Sequence, residues 1–277
     1  MHLRSTMDRT MRKGSVTISM DYNSSIRSGR TAAKFFDLFG SIFPELKFRT
    51  MGQWEPLTKR FDLTEAAVEW EKNRSVSQSE FGDCIYQGDQ PALFYALVNW
   101  FGPGTHRTWV DSIAVKLNES FWTKWKAPDV TEKSVRLMKA LATLGSPLYG
   151  RGYHQSEFES KQFRERVLKD GRVSRESISL TPREGVVDMF WGNYFGKAYV
   201  DLFGQQTLAR VESLRNERVD DGFLLVFAPD PFHWNQQEVL AAEKNAKAEL
   251  NHDAFLDLSR GFQPNLNIAP EPPLENG

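Results

Sequence analysis

The chain has 277 residues, of which 40% are hydrophobic and 26% charged, a composition typical of a soluble globular protein. The 35 basic and 36 acidic residues give a formal net charge of −1, which argues against a protein that binds nucleic acid or a membrane over most of its surface. A single cysteine, Cys84, excludes an intramolecular disulfide, and no run of about 18 apolar residues is present to span a membrane.

The two ends of the chain differ in composition from its body. Residues 1–13 are basic and no apolar segment follows them, which predicts a flexible leader and not a secretory signal. Residues 261–277 are rich in proline, which predicts a disordered tail. We expect a single domain over residues 14–260, and a cytoplasmic location because the cysteine content fits a reducing compartment.

The N-terminal part predicts a strand followed by two helices. Apolar and polar residues alternate over 15–20, as in a strand with one buried face. Thr31 is placed to cap a first helix, which Pro44 would end. A start similar to a capping box at Asp62 predicts a short helix to about Glu71.

The middle of the chain predicts a hairpin, then a helix. Two apolar runs, 91–101 and 108–118, are joined by a connector that contains glycine, which indicates an antiparallel pair of strands. A helix capped by Thr131 and a short strand or turn over 148–154 are expected next.

The C-terminal half mixes short strands and helices without a strict βαβ rhythm. Residues 186–191 (VVDMFW) predict a strand, and GNYFGK after them predicts a turn. A helix interrupted near Gly204 and a buried strand over 223–228 complete the pattern. The fold class that follows is α+β, with a mainly antiparallel sheet packed by helices in one domain.

The segment FWGNYFGKAYVDLFG (190–204) is the least ordinary part of the sequence. Gly192 and Gly196 are four residues apart and no GK[ST] follows, so the segment lacks the spacing of a phosphate-binding loop. The pattern favours bulky rings that pack between a strand and a helix.

No spacing in the sequence is typical of a metal site or an activated nucleophile. The five histidines form no HExxH pair, and Cys84 lies close to two aspartates, which would raise its pKa. We therefore expect no metal and no cofactor. Asp111 and Asp188 each interrupt an apolar run, for which a structural ion pair is the favoured explanation. Together with His154 they leave open an enzyme with a carboxylate–histidine pocket.

Aromatic residues beside charged ones supply the candidates for partner binding. They occur in FWTKWK (121–126) and PDPFHW (229–234). Such rings anchor protein partners, and they also stack on bases, so a nucleic-acid-binding accessory factor stays open. His154 lies three residues before Glu157, a spacing that weakly resembles a metal-ligand pair, and both residues are added to the candidates. The candidate residues are Trp122, Trp125, His154, Glu157, Phe232 and Trp234.

The block WGNYFGKAYVDLFG, followed by DGFLLVFAPDPFHW, resembles the C-terminal part of an α+β family of immunity proteins from bacterial polymorphic-toxin systems. Lys197 stands where a proline is usual, and residues 149–161 and 54–70 resemble the family more weakly. The resemblance implies a protein without catalysis that binds a cognate toxin and blocks it. The matching positions are Trp191, Asn193, Tyr194, Phe195, Gly196, Tyr199, Val200, Phe203 and Gly204.

Overall fold

The structure, a computed structural model, covers most of the expected domain. It describes residues 14–53, 56–71, 81–88, 93–101, 110–125, 127–168 and 170–269. The predicted leader, residues 1–13, and the end of the predicted tail, residues 270–277, lie outside the described residues.

Within the described ranges, ten strands form one antiparallel sheet and two more form a separate hairpin. The order across the main sheet is β11-β12-β10-β7-β1-β6-β5-β4-β2-β3, and β8 pairs with β9. The strands are β1 (Ser15–Tyr22), β2 (Phe48–Gly52), β3 (Lys59–Arg60), β4 (Phe81–Gly88), β5 (Phe94–Phe101), β6 (Asp111–Asn118), β7 (Pro147–His154), β8 (Phe163–Val167), β9 (Val173–Ser177), β10 (Gly192–Phe195), β11 (Arg215–Val219) and β12 (Gly222–Val226).

Eight α-helices and one short 3₁₀ helix, His252–Ala254, belong to the described part of the chain. Together with the sheet they confirm the predicted α+β class in a single domain. The α-helices are α1 (Gly29–Ile42), α2 (Leu63–Glu71), α3 (Glu119–Trp125), α4 (Ala127–Ala142), α5 (Gln155–Gln162), α6 (Lys197–Phe203), α7 (Gln205–Arg210) and α8 (Gln237–Glu249).

The central strand β1 separates two packed layers, because successive side chains of a strand point to opposite faces. On one face, the Tyr22 hydroxyl donates to the Leu141 carbonyl of α4 at 2.9 Å. Farther along the same face, Phe94 of β5 stacks on Phe39 of α1 with ring centroids 5.4 Å apart. The opposite face of β7 and β10 packs against the helix α6, whose rings form most of the second core layer.

The prediction of a strand over 186–191 is wrong. The strand β10 lies directly after that segment and begins at Gly192. The buried amide of Asn193 explains the shift. Its Oδ1 accepts from the Phe190 N–H at 3.1 Å and its Nδ2 donates to the Phe190 carbonyl at 2.8 Å, which fixes a turn before the strand. A Cβ at Gly196 would lie 1.7 Å from the Pro147 carbonyl oxygen, so this glycine permits close packing of β10 on β7.

Two predicted helix starts are corrected as well. Ser28 caps α1, since its hydroxyl accepts from the Thr31 N–H at 3.1 Å, so Thr31 lies in the first turn. The helix α4 begins at Ala127, four residues before Thr131. Pro128 falls in its first turn, where a missing N–H costs no intrahelical bond.

Part of the segment predicted as a disordered tail, from residue 261 on, bonds to the body of the fold. The Leu266 N–H donates to the Glu184 carbonyl at 2.9 Å, and the Ile268 N–H donates to the Arg183 carbonyl at 3.0 Å. Both apolar side chains also pack against the core. Backbone bonds and apolar burial together hold this segment, despite its prolines.

Candidate partner-binding site

Four of the candidate residues meet where β7 ends and α5 begins. We call Trp122, His154, Phe232 and Trp234 the aromatic cluster. The ring centroids of His154 and Phe232 are 5.2 Å apart, and those of Trp122 and Phe232 are 5.7 Å apart. The Trp234 Nε1–H donates to the Ser156 hydroxyl oxygen at 3.2 Å.

His154 has a local structural role in this cluster. It is the N-cap of α5, and its Nδ1 accepts from the Ser156 N–H at 3.3 Å. That bond places the proton of the neutral ring on Nε2. Burial lowers the pKa of His154, which favours the same neutral form.

A buried ionic triad, formed by Glu157, Lys161 and Glu243, lies next to the aromatic cluster. The Lys161 Nζ donates to Glu157 Oε1 at 2.8 Å, to Glu243 Oε2 at 2.7 Å and to the Met189 carbonyl at 2.7 Å. Glu157 and Lys161 are four residues apart on α5, whereas Glu243 belongs to α8. The triad therefore joins two helices that are distant in sequence.

One lysine cannot neutralise two buried carboxylates, and the pKa values reflect this. Burial, followed by repulsion between the two acids, raises the pKa of Glu157 to about 8. Burial also raises the pKa of Glu243 to about 7. For Lys161, burial lowers the pKa, but attraction to the carboxylates outweighs it and the pKa lies above its usual value. The triad therefore retains a proton into the neutral pH range.

The triad and the aromatic cluster are in contact through Lys161. Its Nζ lies 5.4 Å from the centroid of the Phe190 ring and 5.9 Å from that of Trp234. The Trp234 ring is half-buried, as are Phe232 and His154. Three aromatic side chains thus remain partly accessible beside an ionic network whose two carboxylates are buried.

Two of the candidates for direct partner contact are corrected, because their side chains are inside the protein. Trp122 is 2% exposed and its Nε1–H donates to the Thr131 hydroxyl at 3.4 Å, while Glu157 is 0% exposed. Buried groups cannot form an interface, so both support the surface from below. The Trp125 side chain lies outside the described residues.

Burial also bears on the hypothesis of base stacking by FWTKWK. Phe121 and Trp122 are both in the core, where they cannot stack on bases. The side chains of residues 124–126 lie outside the described part of the chain.

Asp111 stabilises a loop far from the aromatic cluster. Its Oδ2 accepts from the Ser25 hydroxyl at 3.0 Å and from the Ile26 N–H at 3.1 Å. Asp111 pairs with Tyr22 at one end of β1, whereas His154 pairs with Val16, six residues away. At about 3.3 Å per residue, the two side chains are roughly 20 Å apart.

Asp188 has its own cation. Its Oδ1 accepts from the Lys247 Nζ at 2.6 Å and from the Met189 N–H at 2.9 Å. The alternative pocket of Asp111, Asp188 and His154 is therefore not assembled, since Asp111 is remote and Asp188 is ion-paired. The structural ion pair favoured for Asp188 is present.

Sequence reasoning missed Lys161 and Glu243. The spacing of Glu157 and Lys161 was a readable signal, because residues four apart on a helix are neighbours. Glu243 is 82 residues from Lys161 and gave none. No three His, Cys, Asp or Glu side chains are grouped as a metal site anywhere in the described ranges. Among the helices described, none combines the length and apolar character that crossing a bilayer requires.

A separate cavity of about 280 Å³ lies where β7 begins and the β11–β12 turn approaches α6. Tyr194, Asp220 and Asp221 are among its lining residues. The Tyr194 hydroxyl donates to the Val219 carbonyl at 3.1 Å, and the Trp191 Nε1–H donates to the Ala228 carbonyl at 2.9 Å. The polar atoms of both rings thus have partners within the fold, as packing residues require.

These features define a single-domain α+β protein with a half-buried aromatic cluster beside a buried ionic triad. No protein-family model and no curated protein matches the chain significantly. Among solved structures, the fold is similar to that of a Pseudomonas aeruginosa T6SS protein, PA0821. The match has a TM-score of 0.52 and 11% sequence identity, and it covers 91% of this chain and 79% of that chain. At this identity the likeness concerns the fold alone.

Proposed function

We propose that this chain is a cytoplasmic immunity protein that binds a cognate toxin domain and neutralises it without catalysis. The observation that carries the proposal is the contrast at the candidate site. Each charged side chain there makes at least one bond within the fold, whereas Trp234, Phe232 and His154 remain partly accessible. The likeness to a T6SS protein supports a secretion-system setting, and the 190–204 block supports the immunity class.

The half-buried rings suit a binding anchor. Tryptophan is enriched among the residues that dominate binding energy, and such anchors are usually held rigid before binding. The bond from Trp234 to Ser156 and the contact with Lys161 hold the indole in this way. Loss of the anchor would therefore weaken binding more than it weakens the fold.

The direct test is co-expression with the toxin domain encoded beside this chain. We expect the wild-type chain to restore growth and to form a complex with a Kd below about 1 μM. Trp234→Ala should weaken the complex at least about tenfold, because truncating a hot-spot residue costs about 2 kcal/mol or more. Leu258→Ala, which removes an exposed apolar side chain elsewhere, is the matched control.

An enzyme is the second candidate, and one observation favours it. Glu157 and Glu243 have pKa values near neutral pH, a property common in catalytic acids and bases. Glu243→Gln separates the two functions, since it keeps the shape of the side chain and removes its titration. Protection by this variant equal to wild type agrees with binding alone, whereas full loss with an intact fold would favour catalysis.

A further inference from the structure

The β8–β9 hairpin is separate from the main sheet. Within the described ranges its two strands pair only with each other. Val167 and Val173 face each other across the last pair at the tip and are 71% and 59% exposed. These valines gain little from the fold, and because they lie side by side they form a small apolar patch that a partner could cover.

The base of the hairpin is fixed to α5, the helix that begins at the aromatic cluster. The Phe163 ring packs 6.0 Å from that of Phe158, and the Arg175 guanidinium lies 4.7 Å from the Phe163 centroid. Arg175 also donates to Glu159 Oε2 at 3.3 Å and to its carbonyl at 2.8 Å. The hairpin and the aromatic cluster therefore extend from the two ends of one short helix.

The hairpin is basic, in contrast to the whole chain, whose net charge is −1. Residues 163–177 contain five basic and three acidic residues, a net charge of +2. Arg164 and Arg166 both contact the single carboxylate of Glu176, each at 3.4 Å. Exposed pairs of this length contribute little stability, so these arginines can exchange Glu176 for carboxylates of a partner.

From the exposed valines, the separate sheet and the positive charge, we propose that the hairpin docks its tip into an apolar groove with an acidic rim on the toxin domain. This inference rests on the proposed function and names the chemistry of the partner surface. The valines would fill the groove, and the arginines would pair with its rim. Complementary charge of this kind raises the association rate.

The test uses the purified full chain and the purified toxin domain encoded beside it. The variants are the double substitution Val167→Ser and Val173→Ser, and the charge reversal Arg166→Glu. Their matched controls are Leu214→Ser, at a side chain that is 57% exposed, and Arg210→Glu at the end of α7. Thermal unfolding of each variant checks that the fold is intact.

We expect the double serine variant and Arg166→Glu each to lower the affinity at least about tenfold, with unfolding midpoints unchanged and both controls within about twofold of wild type. The association rate of wild type should fall as salt is raised, and that of Arg166→Glu should depend on salt less.

Affinities of the hairpin variants within about twofold of wild type, while Trp234→Ala weakens the complex, would overturn the inference and leave the proposed function in place. No binding of wild type to the toxin domain would overturn both. Binding of wild type to a 20-base-pair RNA duplex that the hairpin substitutions abolish, with toxin binding unchanged, would assign the positive charge to nucleic acid instead.

Discussion

The buried ionic triad and the β8–β9 hairpin contain similar charged pairs in opposite environments. In the triad, Lys161 donates to Glu157 and Glu243 at 2.8 and 2.7 Å with almost no solvent contact. In the hairpin, Arg164 and Arg166 reach Glu176 at 3.4 Å from side chains that are mostly exposed. Both regions pair a basic side chain with carboxylates, so the main difference between them is the burial of the charged groups.

Burial decides what each set of charges can do. Removing one member of a buried ion pair leaves an uncompensated charge in a medium that solvates it poorly, at a cost of several kcal/mol. Exposed pairs contribute about 0–1 kcal/mol, because water and salt replace the lost partner. The triad therefore stabilises the contact between α5 and α8, whereas the charged side chains of the hairpin can form ion pairs with a partner.

The largest effect is expected from Lys161→Met, which keeps much of the side-chain volume and removes the charge. Glu157 and Glu243 would then be buried without a cation, and the free energy of unfolding should fall by about 3–5 kcal/mol. Urea unfolding measures this value. Arg164→Ala in the hairpin is the control and should cost less than about 1 kcal/mol. If Lys161→Met lowers the free energy of unfolding by less than about 1 kcal/mol, the buried triad and the exposed hairpin pairs do not differ in their contribution to stability.

Asn193→Ala tests whether the loss of buried hydrogen bonds to a neutral side chain also lowers the free energy of unfolding. The Asn193 amide holds both polar atoms of the Phe190 backbone, and its Oδ1 accepts from the Tyr149 hydroxyl at 3.0 Å. Leaving these buried groups without partners should lower the free energy of unfolding by about 2–4 kcal/mol. Asn235→Ala, at an exposed position, should change it by less than about 0.5 kcal/mol. Equal values for the two asparagines would contradict the importance of burial.

The pH dependence of stability should identify the triad. The pKa of Glu157 is raised to about 8 and that of Glu243 to about 7, from an ordinary value of 4.5. From about pH 4.5 up to the raised pKa of each glutamate, the native state binds more protons than the unfolded chain. The stability of the protein therefore falls as pH rises through this range. Urea unfolding from pH 6.5 to 8.5 should show a slope of up to about 1.4 kcal/mol per pH unit for each proton.

Glu243→Gln is the control for this pH dependence, because it removes one titrating group and should flatten the slope. Stability that increases between pH 6.5 and 8.5 would contradict the assignment of a retained proton to the triad.

The smallest effect is expected from Glu176→Gln, which removes the carboxylate shared by Arg164 and Arg166. Because these pairs are exposed, the free energy of unfolding should fall by less than about 1 kcal/mol in a urea titration. A loss above 2 kcal/mol would show that the hairpin charges maintain the fold, and would leave them less available to a partner.

Local patterns predicted those elements whose cause is local. Alternation over 15–20 predicted the strand β1, but the expected single buried face is wrong, because all eight residues of this central strand are buried. The break near Gly204 is present, where φ is +85°. The prediction of a strand over 186–191 failed because the residues there have the apolar pattern of a strand. The turn that replaces its end depends on the side chain of Asn193, which follows the segment. The Asn193 amide bonds to the backbone of Phe190 only three residues away, but an apolar run does not report that this side-chain bond will form.

The candidate site was predictable only in part, for a related reason. Aromatic residues next to charged ones indicated Trp234 and Phe232 as partner-binding candidates. Both side chains are half-buried, and their contact with a partner stays a prediction. Burial of Trp122 and Glu157 depends on what the rest of the chain places over them, which sequence spacing does not report. Glu243 reaches Lys161 only through the packing of α8 against α5, and no short-range signal marks that contact.

The central claim is that this chain acts by binding, and the stoichiometry of neutralisation tests it most directly. A fixed amount of the purified toxin domain would be titrated with the wild-type chain, and the residual activity of the toxin on its own target would be measured. We predict a linear loss of activity that is complete at one chain per toxin domain. Inactivation of many toxin molecules by one chain, or full toxin activity at a saturating excess of the chain, would contradict the account.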